Sequence, residues 1–318
     1  MEPKADPHLQ IAADVARIEF GESPRQIARM AVGLANEVYA VSLESGDVIV
    51  RLNRDSDLMR GAEEHIRLFA SLDIPAPRVL AADYSKSRLP LAYQVQTRLA
   101  GEDIGQVIQT LADSQLRAIA RDIAVVVRRL ESLPTNGRFG WVGGGKEASY
   151  ATWLDLLEGM RRQIAERTAK TKVVGPRYLA AVSRLLDLYG PAFEKVASTF
   201  YYDDMSSKNV MIDDGRFVGI VDLDTVAYGD PLEAVGRIRA SWYGAPHGDA
   251  YAGAVMGELG LTDRQRELVL VYAILNRIYW LSEHGLRFNA NTSDVVSRAA
   301  VEADERVIDA MLVELGGV

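Results

Sequence analysis

Asp204, Asn209 and Asp222 carry oxygen atoms of the kind that support phosphate chemistry. Carboxylate and amide oxygens are hard ligands, suited to a Mg²⁺ ion that is bound together with substrate phosphates. Asn209 directly precedes the apolar run Val210–Ile212, and Asp222 directly follows the run Phe217–Val221. If the two runs pair as a hairpin, Asn209 and Asp222 meet at its open end and Asp204 reaches the same place. The stretch therefore predicts the catalytic core of a phosphotransferase.

The turn between the two runs is the element that must position these side chains. Asp213-Asp214-Gly215-Arg216 separates the runs, and Asp-Gly in this setting favours a hairpin because Gly accepts a positive φ without steric cost. Beyond the hairpin, Gly229-Asp230-Pro231 predicts the start of a helix. Each carboxylate taken alone has a plainer interpretation, since Asp204 is also typical of a turn and Asp222 of a strand end.

The composition narrows the class of protein. The chain has 318 residues, a formal net charge of −8, four histidines and no cysteine. Disulfides, thiol nucleophiles and Cys-ligated metals are therefore excluded, and an acidic chain is a poor general partner for nucleic acid. The polar N-terminus and the interrupted apolar run Leu268–Leu281 predict neither a signal peptide nor a membrane helix. We expect a cytoplasmic protein with no membrane partner, and the oligomeric state stays open.

The first hundred residues predict a small sheet with one long helix. A short helix is expected to open at Ser23-Pro24. Strand patterns follow at Val48–Leu52, Val79–Ala82 and Ala92–Gln96, and a helix pattern follows at Asp57–Leu72. The composition then becomes helix-rich, so we place a boundary near Gly101 and predict domains at 1–100 and 101–318.

The second part predicts helices around the hairpin. Apolar residues repeat at helical spacing in Ser114–Leu133, and helices follow on both sides of Val174-Gly175-Pro176 and of Gly260-Leu261-Thr262. Gly140–Lys146 has the glycine spacing of a phosphate-binding P-loop, but Glu147 stands where that motif needs a hydroxyl. We therefore interpret this segment as an ordinary Gly-rich loop.

The ordered set of motifs resembles the aminoglycoside phosphotransferase family, which are small-molecule kinases of the protein-kinase-like fold. The family's His-Gly-Asp loop with a later Asn is similar to Tyr202-Asp203-Asp204 and Asn209, and its metal-binding Ile-Asp strand is similar to Val221–Asp224. Further similar segments are the loop GLANEVYAV from Gly33, Val48–Arg51, Pro75–Leu80 and Gly229–Pro231. The resemblance runs from about Val32 to Gly236.

The resemblance implies an α+β, bilobal fold. A small N-terminal lobe with an antiparallel sheet and one helix would bind nucleotide, and a larger helical lobe would carry the catalytic hairpin and bind the acceptor. The implied cofactors are Mg²⁺ and ATP or GTP as phosphate donor. The implied activity is transfer of the γ-phosphate to a hydroxyl of a small molecule.

The resemblance also implies roles for individual residues. Asp204 would accept or orient the acceptor hydroxyl, and Asn209 and Asp222 would hold Mg²⁺. Arg51 would pair with the phosphates and would be held by Glu63, with Glu64 as the alternative partner.

The remaining nucleotide contacts implied by the resemblance are made by backbone. The loop from Gly33 to Asn36 would cover the phosphates, although on its own it is interpreted as a simple turn. The adenine would bind backbone groups near Thr97 and Leu99.

Departures from the family pattern leave alternatives open. Tyr202 replaces the loop His, Asp203 replaces the loop Gly, and Ala234 stands where the family has an acidic residue after Gly-Asp-Pro. Aminoglycosides are the first expected acceptors, since acidic helices around Asp155, Glu158 and Glu233 would attract a polycation. Choline, homoserine, a sugar or another antibiotic would use the same core, and a catalytically weak nucleotide-binding pseudokinase is the second class.

Overall fold

The computed structural model describes Asp6 and residues 8–30, 36–287 and 293–317. The chain divides into two units. The first comprises Met1–Ala100, Gly143–Gly145 and Gly219–Thr225, and the second comprises Gly101–Val142, Lys146–Val218 and Val226–Val318. Two short segments from beyond the predicted boundary near Gly101 therefore belong to the first unit. A single division of the sequence does not capture them.

A five-stranded antiparallel sheet organises the first unit. Its neighbours run in the order β1-β2-β3-β5-β4. The strands are β1 (Gln26–Arg29), β2 (Glu37–Ser42), β3 (Asp47–Asn53), β4 (Val79–Asp83) and β5 (Ala92–Thr97), and the helices are α1 (Leu9–Phe20) and α2 (Ser56–Ser71).

The two faces of β3 serve different purposes. Val48, Val50 and Leu52 pack into the same apolar cluster as residues of α1. Because side chains alternate along a strand, Arg51 points to the opposite face. Its cross-strand partner Gln94 donates to the Met59 carbonyl of α2, so that helix lies on the Arg51 face.

The prediction of a helix that begins at Ser23-Pro24 is wrong. The helix lies earlier, at α1, and ends at Gly21 with a left-handed φ of 70°. The residues after Pro24 form β1, whose backbone pairs with β2 from Gln26 opposite Ser42 to Arg29 opposite Tyr39. Pairing with a neighbouring strand outweighs local helix signals in so short a segment. The first unit accordingly contains two helices within its described residues, not one.

The second unit is mainly helical. Two small sheets run in the orders β10-β9-β6 and β7-β11-β8. Its helices are α3 (Ile104–Val107), α4 (Asp113–Glu131), α5 (Trp153–Thr171), α6 (Pro176–Phe193), α7 (Leu232–Trp242), α8 (Pro246–Glu258), α9 (Asp263–Leu281) and α10 (Arg298–Glu314). Its strands are β6 (Glu102–Asp103), β7 (Gly140–Val142), β8 (Thr199–Tyr201), β9 (Val210–Asp213), β10 (Arg216–Ile220) and β11 (Val226–Gly229).

An aromatic core holds the second unit together. Trp153 packs edge-on against Tyr201 and Tyr272, with ring centroids 6.4 and 6.2 Å apart. The Trp153 indole also donates to the Tyr272 hydroxyl (2.8 Å), so the buried polar atoms of this core are paired. This core lies beside β8, the strand that leads into Asp203 and Asp204.

The predicted α+β class, with an antiparallel sheet first and helices after, is confirmed. The predicted hairpin is present as β9 and β10, adjacent in their sheet. None of the described helices is long and apolar enough to cross a membrane.

Candidate active site

Arg51 is the centre of a charged cluster in the first unit. Its side chain is only 5% exposed, and its Nη2 donates to Asp224 Oδ1 (2.6 Å) and to Asp222 Oδ1 (3.2 Å). The two carboxylates come from the segment that follows β10. A buried guanidinium needs such partners, because an isolated charge is costly to remove from water.

Asn36 joins this cluster through its side chain. Its Nδ2 donates to Asp224 Oδ2, and its Oδ1 accepts from Asn53 Nδ2 (2.6 Å). Asn53 lies two residues after Arg51 on β3, so it points to the same face of the sheet. The end of the predicted phosphate-covering loop is thus tied to the strand that carries the cation. Gly33, the other residue predicted in that loop, lies outside the described residues.

Two hydrogen bonds that involve backbone atoms hold the segment that carries Asp222 and Asp224. The Ile220 N–H donates to the Pro75 carbonyl (2.9 Å), and the His65 Nδ1 lies 2.8 Å from the buried Leu223 carbonyl. Burial lowers the pKa of His65, so the neutral ring that donates to this carbonyl is favoured. Asp222 itself has a φ of 62°, in the left-handed region that Asp adopts more readily than most non-glycine residues.

Glu63 does not make the predicted ion pair with Arg51 among the described residues. Its Oε2 accepts from the Tyr84 hydroxyl (2.5 Å), and its Oε1 pairs with Arg67 one turn later on α2. The α2 side chain that contacts the Asp222–Asp224 segment is His65. Asp224 therefore takes the place expected for Glu63 as the close carboxylate partner of Arg51.

The residues predicted to bind adenine lie at the end of β5. The Thr97 N–H donates to the Arg78 carbonyl, and the Thr97 hydroxyl accepts from the Arg78 N–H (both 2.9 Å). Leu99 lies two residues beyond the strand and is half-buried. The structure does not place Thr97 or Leu99 in the Arg51 cluster, and their role in binding adenine stays a prediction.

Asp204 and Asn209 lie together in the second unit. Asn209 Nδ2 donates to Asp204 Oδ2 (2.8 Å) and to the Asp204 carbonyl (3.1 Å). The Ser206 hydroxyl adds a longer bond to Asp204 Oδ1 (3.3 Å). Asn209 is 3% exposed, and all its side-chain bonds to described residues use the nitrogen. Its oxygen is thereby kept as an acceptor or metal ligand.

The two predicted metal ligands each carry donor atoms of the kind that Mg²⁺ prefers. Asn209 presents an amide oxygen, and Asp222 carries a carboxylate whose side chain is 41% exposed. Oxygen ligands of this type are those that Mg²⁺ takes when it binds with substrate phosphates. The residues predicted as metal ligands therefore have the right chemistry for that role.

The Gly-rich loop serves close packing in the first unit. A Cβ atom at Gly143 would lie 2.2 Å from the Asp224 carbonyl oxygen, and one at Gly61 of α2 would lie 3.0 Å from the Gly144 nitrogen. The glycines are needed because backbone approaches backbone there. This agrees with the interpretation that Gly140–Lys146 is not a P-loop.

Several contacting residues were not predicted. Asp224 ends the segment Val221–Asp224 that resembles the family's metal-binding strand, and its spacing two residues after Asp222 was the available signal for a role at the site. Asn53 could have been found from its spacing after Arg51 on one strand. Arg237, which pairs with Asp203, carries no local signal because its partner is distant in sequence.

Three acidic residues expected to attract a polycation have other roles. Asp155 caps α5 by accepting from the Thr152 N–H (3.0 Å), and Glu158 pairs with Arg161 (2.7 Å). Glu233 is 3% exposed and accepts from Asn276 Nδ2 (3.0 Å). Glu233 is thus part of the interior, and the other two carboxylates have local partners.

Comparisons with known proteins identify the class. The sequence profile of the phosphotransferase enzyme family matches residues 26–269, and the chain belongs to this family. The structure superposes on the ternary complex of a thermostable mutant of the aminoglycoside phosphotransferase APH(4)-Ia with AMP-PNP and hygromycin B. The TM-score is 0.70, with 20% identity and coverage of 96% of this chain and 99% of that one.

A second solved structure shows the same fold. The GDP complex of wild-type aminoglycoside 2'-phosphotransferase-IIIa superposes with a TM-score of 0.70 and 14% identity, covering 97% of this chain and 99% of that one. The predicted protein-kinase-like fold of the aminoglycoside phosphotransferases is therefore confirmed.

A relative among curated proteins is hygromycin-B 4-O-kinase from Escherichia coli. It is 23% identical over 226 residues, which is 70% of this chain and 64% of that kinase. The matched region of the chain thus spans just under two thirds of this relative's length. The predicted membership in a family of small-molecule phosphotransferases is confirmed.

Proposed function

We propose that this chain transfers the γ-phosphate of ATP or GTP to a hydroxyl of a small molecule, in the first place an aminoglycoside antibiotic. The observation that carries the proposal is the pair formed by Asp204 and Asn209. The amide nitrogen holds the Asp204 carboxylate at 2.8 Å, and the amide oxygen is the proposed metal ligand. This division suits a loop that handles a hydroxyl on one side and a metal on the other.

Asp204 is the proposed catalytic residue. Its carboxylate accepts the proton of the acceptor hydroxyl while the acceptor oxygen bonds to the γ-phosphorus. The bond from that phosphorus to the bridging oxygen breaks, and the nucleoside diphosphate leaves. Asn209 keeps the carboxylate from turning away, since near-attack geometry carries much of the rate in such reactions.

Asn209 and Asp222 are the proposed ligands of Mg²⁺, which supplies neutralisation of the phosphate charge when bound. That they share one ion stays a prediction from the hairpin that connects them. Arg51 is the proposed phosphate-pairing cation, fixed by Asp224. The segment from Gly33 to Asn36 is the proposed cover of the phosphates, and backbone near Thr97 and Leu99 the proposed adenine contact. We retain Glu63 only as support of α2 through Tyr84.

The acceptor is proposed from similarity. Hygromycin B is named in one relative and in the solved complex, which makes it the first acceptor to try. The acidic residues Asp155, Glu158 and Glu233 no longer argue for a polycation, so choline, homoserine and sugars belong in the same panel. Mg²⁺, nucleotide and a small acceptor are the proposed partners, in a cytoplasmic setting.

The test is nucleotide turnover with that panel, with ATP and GTP compared as donors. Asp204→Ala is expected to lower kcat by about 10²–10⁴-fold, the usual contribution of a positioned acid or base. Asp222→Ala is expected to raise the Mg²⁺ concentration needed for half-maximal turnover, because it removes a proposed ligand of the ion.

Asp213→Ala is the matched control, because Asp213 is an exposed carboxylate on the same hairpin. Parental rates in both the Asp204 and the Asp222 variant would overturn the assignment. Nucleotide binding that no acceptor converts to turnover would support the pseudokinase instead.

A further inference from the structure

Asp203 is a buried carboxylate beside the proposed catalytic residue. It is 4% exposed and stands where the resembled family has a glycine. The Trp141 indole N–H donates to its Oδ2 (2.9 Å), and Arg237 of α7 forms an ion pair with the same oxygen. A buried carboxylate at this position would destabilise the loop unless its charge were compensated. Here two separate elements, β7 and α7, supply the compensating contacts.

Arg237 supplies the positive charge that compensates Asp203. Its side chain is 19% exposed, and its guanidinium lies 5.8 Å from the ring centroid of Trp280. Burial works against its charge, but the carboxylates of Asp203 and Glu233 outweigh burial and raise the pKa of Arg237 above its usual range. The side chain therefore remains a cation facing the loop.

The same helix holds the loop at a second point. Trp242, the last residue of α7, donates its indole N–H to the Ser206 carbonyl (3.0 Å). Asp203 and Ser206 flank Asp204 in sequence. Contacts on both sides of Asp204 thus run to one rigid helix, through Arg237 and Trp242.

We propose that α7 positions the catalytic loop, and that the Arg237–Asp203 ion pair, a feature of this chain, sets the orientation of the Asp204 carboxylate. Arg237 is a positioning residue here, because it acts through Asp203 and does not contact the reacting atoms. The inference rests on the proposed function of Asp204. It adds a residue pair that compensates for the departures at Tyr202 and Asp203 from the family's loop.

The principal variants are Arg237→Met and Asp203→Asn, alone and together. Asn keeps an oxygen for the Trp141 indole and removes only the charge. We expect Arg237→Met to lower kcat by about 10²-fold, since misplacing a catalytic group by about 1 Å has that effect. KM for nucleotide is expected to change by less than about threefold, because the residues proposed to contact the nucleotide directly, and not through Mg²⁺, lie in the first unit.

The double variant distinguishes an effect on the orientation of Asp204 from the effect of leaving one buried charge without its partner. Below about pH 7, where the buried Glu233 holds its proton, the double variant leaves no uncompensated ion inside, so stability is expected to recover towards that of the parent while kcat stays low. Arg237→Lys is expected to restore part of kcat, because it restores a cation without the planar fork. Recovery of kcat to the parental value in the double variant would overturn the positioning role.

Arg239→Met is the matched control. Arg239 lies on the same helix with the same 19% exposure, and its ion pair runs to Glu314 of α10. If Arg239→Met lowers kcat as much as Arg237→Met does, the effect belongs to helix stability and the inference fails.

Hydrogen exchange tests the inference without any acceptor. Arg237→Met is expected to speed amide exchange in residues 203–209 while exchange in the first unit stays unchanged. Unaltered exchange in that loop would overturn the inference even if the parent were inactive. Absence of turnover in the parent would instead count against the proposed function alone.

Discussion

Arg51 shows how one residue changes the chemistry of a phosphate site. A guanidinium offers five N–H donors in a planar fork, whereas a lysine ammonium is a compact point charge. Here one nitrogen already serves two carboxylates, Asp224 and Asp222. One cation between two carboxylates leaves the cluster with a net negative charge, which attracts a cation such as Mg²⁺.

Asp224→Asn tests which carboxylate holds Arg51. The change keeps the shape but removes the charge 2.6 Å from the guanidinium. A hydrogen bond to a charged group contributes about 1.5–3 kcal/mol, so KM for nucleotide is expected to rise by about tenfold or more in steady-state kinetics.

Glu63→Gln is the matched control for that measurement. The amide oxygen still accepts from the Tyr84 hydroxyl, so KM is expected to stay within about twofold of the parent, as for most peripheral substitutions. A larger effect of Glu63→Gln than of Asp224→Asn would restore Glu63 as the functional partner.

At this scale the sequence predicted residue types better than partners. Arg51, Asp222 and Asn36 were expected at the phosphates, and the structure brings them together. The partner of Arg51 was missed because neighbouring positions on a helix differ by about 100° in direction. Glu63 and His65 therefore differ by about 200° in direction, and the helical pattern alone did not show which of them faces the Asp222–Asp224 segment.

Helix α2 contacts the Asp222–Asp224 segment through a side chain, His65, which reaches the backbone of that segment. His65 is buried, and its Nδ1 lies 2.8 Å from the Leu223 carbonyl. Leu223 is 1% exposed, so its carbonyl has little access to water. The helix thus stabilises a segment whose Asp222 has a left-handed backbone.

His65→Leu is expected to lower the free energy of unfolding by about 1–3 kcal/mol, because it leaves the buried Leu223 carbonyl unpaired. Burial lowers the pKa of His65 in the folded state. The parent therefore loses stability as the pH falls from about 6.5, the ordinary histidine value, through the lower folded value. His65→Leu is expected to abolish that acid-dependent loss.

The measurement is hydrogen exchange in β3 of the first unit across this pH range. His65→Gln is the control, since its amide still donates to the carbonyl, and it should recover most of the stability. Equal stability of His65→Leu and the parent would show that the contact is dispensable.

Elements were predictable where a long-range pattern supported them. The Asp57–Leu72 and Ser114–Leu133 patterns correspond to α2 and α4 within two residues. The Asp-Gly turn correctly predicted β9 and β10, because turn chemistry is local. The helix at Ser23-Pro24 failed because β1 is defined by its pairing with β2, which no local pattern encodes.

The distribution of tryptophan along the chain provides a fluorescence probe of one unit only. Its four tryptophans, Trp141, Trp153, Trp242 and Trp280, all lie in the second unit. Tryptophan fluorescence therefore reports unfolding of that unit alone. The second unit also contains a buried polar network, in which Tyr272 donates to Asp230 (2.6 Å) and packs against Trp153.

Glu233 gives that unit a pH dependence of opposite sign to that of the first. Burial raises the pKa of Glu233 from 4.5 to about 7; Arg237 opposes this shift, while Asp203 adds to it. Asn276 and Tyr201 are its hydrogen-bond donors. The folded state holds a proton that the unfolded state releases, so this stability is complete below about pH 4.5 and is lost as the pH rises through about 7, on the order of 2–3 kcal/mol.

The fluorescence-detected melting temperature of the parent is therefore expected to fall between about pH 4.5 and pH 7, where the unfolded chain has released the Glu233 proton and the folded protein still holds it. Glu233→Gln keeps an oxygen for Asn276 and cannot ionise, so its melting temperature should be nearly independent of pH over that interval. Asp249→Asn is the control, because Asp249 is an exposed carboxylate of α8 in the same unit. A parental slope retained in Glu233→Gln would show that another group of the second unit takes up the proton.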